Sequence, residues 1–278
     1  MGKIILDVSM LVFVIASMLG VGLALTAEEI IRPLKNLKLV FLALLSNFIL
    51  VPILTYAAAI FFKLEASLFN GLMIMACCAG APFLPMLARL AGGSVAFGVG
   101  LMIVLMVVTV FYAPFIIPLA IPGITINPWS IAYPLMIYML LPLFIGMVIK
   151  AIRPVFADII QPFVKKITAV TVLIVVVLAL FIASPAFVRA YGTGVYNATA
   201  LFVVGSILAG YIFSGLKTHD KYVMALGAGQ RNLTAALLIA VTNFSDRNVV
   251  VVVLIGSLVG SIILFAAAGS FGRFAKRR

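Results

Sequence analysis

Nine apolar stretches, each about as long as a membrane-crossing helix, divide this chain and leave little between them. They run over about 5–25, 39–62, 68–89, 94–121, 131–149, 167–184, 195–216, 222–244 and 249–271. A hydrocarbon core about 30 Å thick takes about 20 helical residues to cross. The chain is 65% hydrophobic and 9% charged, where a soluble domain carries about 25% charged residues. No soluble fold of 278 residues buries that much apolar surface. The stretches lack the alternating pattern of about ten residues that marks a membrane barrel, and in lipid a helix satisfies its own backbone hydrogen bonds. The sequence therefore predicts an all-α integral membrane protein, with nine transmembrane helices in a single domain over 1–278. The first stretch has no cleavage-site pattern and reads as a span.

Two connecting pieces stand out. Residues 26–38 open on Thr26, Glu28 and Glu29 like a capped helix start and read as a short amphipathic piece at the interface. Residues 151–166 carry Arg153, Pro154, Pro162, Lys165 and Lys166 and read as a longer linker of the same kind.

The basic residues set the orientation. Lys3, Lys63, Arg189 and Arg247 fall on the N-terminal side; fourteen others, from Arg32 to the 273–278 run, fall on the opposite side. The positive-inside rule places the N-terminus outside and the C-terminus in the cytoplasm, in a plasma (inner) membrane. The net charge of +12 is thus loop-bound and lipid-directed, with no nucleic-acid partner.

One basic residue breaks the pattern. Arg231 lies ten residues from Lys221 and fifteen from Asp246, about 15 to 22 Å from either polar edge. An ionisable residue at that depth costs several kcal/mol and marks a functional site by default. It sits in Gly227-Ala-Gly-Gln-Arg-Asn232, where Gly227 and Gly229 weaken the helix. The third stretch has a counterpart in Cys78-Ala-Gly-Ala-Pro-Phe-Leu-Pro85, where Gly80, Pro82 and Pro85 interrupt the helix. Stretches two to four therefore mirror seven to nine at an offset of about 150 residues. The two breaks lie five spans apart, so the halves are inverted. This is the inverted-repeat plan of secondary transporters, whose broken helices cross at the binding site.

Other features read more plainly. Cys77 and Cys78 are small packing residues; Pro52, Pro114, Pro118, Pro134 and Pro142 are kinks; Gly256 and Gly260 are helix-packing positions; His219 is a solvated side chain. No nucleophile–base pair or metal cluster occurs, so the chain does not read as an enzyme, and no organic cofactor is implied.

Taken together, these features resemble the bile acid:sodium symporter family over nearly the whole chain. Gly20-Val-Gly-Leu-Ala-Leu25 is similar to its early Gly-x-Gly-Leu segment, and Asn47-Phe-Ile-Leu-Val-Pro52 to its Gln-Phe-x-x-x-Pro span. Cys78-Ala-Gly-Ala-Pro82 resembles its Cys-Pro-Gly-Gly-Thr break, and Gly227-Ala-Gly-Gln-Arg-Asn232 its Glu-Val-Gly-Met-Gln-Asn break. The resemblance implies a panel domain from about 5–25 and 131–184, and a core domain from about 39–121 and 195–271. It also implies two sodium sites, and there the sequence departs. No carboxylate lies between Asp220 and Asp246 to match the family's Glu. Leu84 and Pro85 replace a Ser-Asn pair, and Gly98 and Met102 stand for a Ser and a Thr. Only Asn47 keeps a polar group at the Gln position, leaving a degenerate sodium site near Asn47 and Gln230. At about 5 Å and an effective dielectric near 20, the charge of Arg231 opposes a monovalent cation by about 3 kcal/mol.

The sequence thus predicts a secondary transporter of a small organic anion working by alternating access, with sodium coupling open. Arg231, Gln230, Asn232, Thr234, Pro82, Gly80 and Asn47 are the candidate substrate-binding residues. Arg231 stands either as a fork for a carboxylate or sulfonate or as a strut capping carbonyls of the broken helix. An auxin-efflux-type or arsenite carrier, or a non-transporting anion receptor, are the alternative readings. Arsenite would need Cys77 or Cys78 exposed to a cavity.

Overall fold

The computed structural model describes residues 2–24, 26, 28, 36–121, 126–215 and 219–276. The piece expected over 26–38 lies largely outside the described residues. Among the described residues, eleven helical runs follow in order. They are α1 Gly2–Ala24, α2 Leu37–Phe61, α3 Ala66–Cys77, α4 Leu84–Leu90, α5 Val95–Ala120 and α6 Pro128–Ile152. Then come α7 Pro154–Ala190, α8 Val195–Phe213, α9 Asp220–Gly229, α10 Leu233–Asn243 and α11 Arg247–Lys276. Among the described residues, five runs are by length and composition apolar enough to cross a membrane: Leu37–Phe61, Val95–Ala120, Pro128–Ile152, Val195–Phe213 and Arg247–Ala275. Large apolar side chains such as Phe41, Phe115, Leu119 and Ile262 point outward from them, as lipid-facing residues do.

The described residues are mainly helical, with gaps inside the third and eighth stretches, and two differences from expectation are informative. The 151–166 piece is not a separate linker: α7 runs unbroken for 37 residues from Pro154. Proline is favoured in the first helical turn, where its missing N–H is no loss, and Lys150 closes the corner with a 2.6 Å ion pair to Asp158. The second difference concerns α2 and α6, each of which contains a π-helical turn, at Ser46–Leu50 and Leu135–Leu140. Both turns end two residues before a proline, Pro52 and Pro142. Proline cannot donate to the carbonyl four residues earlier; for Pro52 that is Phe48, whose oxygen accepts the Tyr112 hydroxyl of α5 instead.

α1 packs mainly on α6 and α7, whereas α2, α3, α5, α8, α9 and α11 pack among themselves. The α1–α6 contact is backbone against backbone, since a Cβ on Gly22 would lie 2.2 Å from the Leu143 oxygen. At the Gly93 end, the Ser94 amide donates to Asp220 at 2.9 Å. His219 is not merely solvated there, because its ring stacks on Tyr222 at 5.8 Å, within a run that continues to Tyr211 and Phe271.

Candidate functional site

Two interrupted helices, α3–α4 and α9–α10, meet at their gaps. Residues 78–83 separate the first pair and 230–232 the second. The gaps run antiparallel where they meet, bridged at Ala79 and Arg231. The Asn232 amide donates to the Cys78 carbonyl at 2.8 Å, and the Asn232 side-chain amide donates to the Gly80 carbonyl at 3.0 Å. Its oxygen accepts from the Ala235 amide at 3.1 Å, capping α10. One asparagine therefore fastens both gaps and starts a helix.

Gly80 is held at φ +80, and a Cβ there would lie 2.3 Å from the Met106 amide nitrogen of α5. Only glycine fits both the left-handed backbone and the close approach. The neighbouring Ala79 has its backbone polar groups met by Thr109 of α5, whose hydroxyl accepts from the Ala79 amide and lies 3.0 Å from its carbonyl. Thr109 is the functional position that the sequence reading missed. A lone threonine in an apolar helix ordinarily bonds its own backbone, as Thr55 does to Val51 at 2.8 Å.

The glycines of the second gap are corrected. α9 continues through Gly227 and Gly229 to its end, so neither lies in the break; the three polar residues after them form it. A glycine costs a helix only about 1 kcal/mol, which packing offsets here: a Cβ on Gly229 would lie 2.6 Å from Ile207. Pro85 likewise falls inside the first turn of α4, while Pro82 lies in the turn before it.

Arg231 is 7% exposed, and its terminal nitrogens face protein oxygens. Nη1 donates to the Ala76 carbonyl at 3.2 Å. Nη2 lies 2.6 Å from the Asn47 side-chain oxygen, 3.4 Å from the Gly227 carbonyl, and against the Ala228 carbonyl. These three carbonyls belong to the last turns of α3 and α9, where a helix leaves oxygens without partners and carries partial negative charge. Asn47 sits in the π-turn of α2 and donates to Ala43 at 2.9 Å, which fixes its oxygen toward Arg231. The fork that a carboxylate would use is spent on these oxygens in this conformation. Arg231 Nε and Gln230 Oε1 are buried and have no hydrogen-bond partner among the described residues. Thr234 is buried in the first turn of α10. Of the residues singled out in the sequence, Arg231, Asn47, Asn232 and Gly80 are joined directly by hydrogen bonds or by the bridge between the gaps; Gln230 and Pro82 flank them in the chain. Cys77 and Cys78 are completely buried and unpaired.

Comparison with known proteins gives a consistent picture. The sequence model of the Sodium Bile acid symporter family matches residues 10–189, ending before the second gap. A probable sodium/metabolite cotransporter, BASS2, chloroplastic, of Oryza sativa subsp. japonica is 26% identical over 84% of this chain. A second, BASS1, chloroplastic, of Arabidopsis thaliana is 23% identical over 94% of it. The chain spans 57% and 66% of the lengths of those two relatives.

Proposed function

This chain belongs to the Sodium Bile acid symporter family, and from that premise we propose that it is a secondary transporter moving a small organic anion by alternating access. The observation that carries the anion assignment is Arg231, buried at the crossing of two broken helices with no acidic partner among the described residues. Its hydrogen-bond partners there are neutral carbonyls and an amide, which leave its charge uncancelled. A buried net positive charge favours a negative guest, because Coulomb energy inside a protein is screened far less than in water. The Nε–H is the donor left to meet that guest, while the Gln230 oxygen, an acceptor, is left for a hydroxyl or N–H elsewhere on it.

Transport as the activity is supported by the repeated order of long helix, broken helix, long helix over α2–α5 and α8–α11. That order is what an inverted repeat with its binding site at the crossing would give. The packing of α1 with α6 and α7 supports a panel moving against a core of the two repeats. The basic-residue asymmetry supports an orientation with the C-terminus on the cytoplasmic side. The arsenite alternative is disfavoured by the completely buried Cys77 and Cys78.

Purified protein in liposomes is expected to take up one or more radiolabelled carboxylates or sulfonates, with saturation and counterflow. Saturable binding without counterflow would instead favour a receptor.

A further inference from the structure

Three oxygens converge on a single nitrogen, Arg231 Nη2: those of Asn47 at 2.6 Å, Gly227 at 3.4 Å and Ala228. A guanidinium nitrogen of this type has only two hydrogens, so the arrangement exceeds what directed hydrogen bonding can use. Such clustering is how oxygens surround a charge. The carbonyls are available for a geometric reason. In a continued helix the Gly227 and Ala228 oxygens would accept from the amides of Arg231 and Asn232, but α9 ends at Gly229 and the Asn232 amide turns to Cys78. The Ala76 oxygen of α3 is freed in the same way, because Gly80 has left the helix. Unwound carbonyls and the carboxyl ends of half-helices are the groups that hold monovalent cations in transporters with broken helices. Meanwhile Nε is buried without an acceptor among the described residues, which is unfavourable for a buried donor. The side chain gives up that donor to put its charge among the oxygens.

We infer that the oxygens of Asn47, Ala76, Gly227 and Ala228 form a monovalent-cation cage whose permanent occupant is the Arg231 guanidinium. The cage is filled by a cation bonded to the chain, so the wild-type protein needs no sodium, and emptying the cage with a neutral side chain creates a sodium site. This deepens the transport reading by specifying its coupling, and it rests on that reading only for the flux measurements.

The test compares the wild type with Arg231→Gln and Arg231→Lys in sodium, potassium and choline chloride. For the wild type, melting temperature and anion uptake are expected to be the same in all three salts. Arg231→Gln is expected to be destabilised in choline and to gain about 4 °C or more in sodium, saturably. Arg231→Lys, which keeps a cation in the cage, is expected to remain indifferent to salt. A saturable sodium-specific shift of the wild type overturns the inference, as does an Arg231→Gln protein that responds equally to sodium and choline. An Arg231→Gln chain that folds in no salt overturns it too, because the vacated cage then holds no ion. If the wild type carries no anion but the melting data follow expectation, the transport reading fails and the cage stands.

Discussion

The first gap, 78–83, is six residues long and offers no side-chain amide, hydroxyl or charge; the second, 230–232, is three residues long and entirely polar. The first is opened by backbone constraint, with Gly80 at φ +80 and a proline at 82, and it takes its hydrogen bonds from elsewhere, through Thr109 and Asn232. The second is opened by side chains that replace what the helix loses: Arg231 covers the released carbonyls, and Asn232 caps the next helix and reaches across. A helix can thus be interrupted deep in a membrane either by forbidding its geometry or by supplying its hydrogen bonds. The two kinds are coupled here, because the polar gap also satisfies the constrained one.

Substitutions can break this comparison. Gly80→Ala imposes a left-handed alanine and a collision with α5; it is expected to cost more than about 3 kcal/mol and to abolish folded protein on size exclusion. Asn232→Ala removes a helix cap and orphans the Gly80 carbonyl, with an expected loss of about 2–3 kcal/mol in thermal unfolding in detergent. Thr109→Val leaves the Ala79 backbone groups unpaired and is expected to cost about 1–2 kcal/mol, with Thr109→Ser restoring most of it. Pro82→Ala, in a turn with no bond to replace, is expected to cost under about 1 kcal/mol. If Pro82→Ala proves worse than Asn232→Ala, the constrained gap does not depend on the polar one, and the contrast is reversed.

How much was legible follows from the same physics. The helices were legible because membrane thickness fixes a length and lipid forbids charge, so Arg231 stood out at once. The gaps were legible from their residue types, but the second was set three residues early. Gly227 and Gly229 weaken a helix without ending it, and tertiary packing against Ile207 decides the matter. Thr109 was not legible, since Thr55 has a similar apolar setting and bonds its own helix. Only the position of the neighbouring chain separates the two. The 151–166 piece misled because lysines and prolines mark both linkers and the surface-lying first turns of a helix.

The covalent attachment of Arg231 to the chain has an electrical consequence. A free coupling ion crosses the membrane with its cargo and is left behind, adding its charge to every cycle. A guanidinium returns with the protein, so over a full turnover its displacement sums to zero. On the proposed reading, the current per cycle is therefore the charge of the anion alone. At an interior-negative potential of about 100 mV that is worth about 2.3 kcal/mol per unit charge, directed outward.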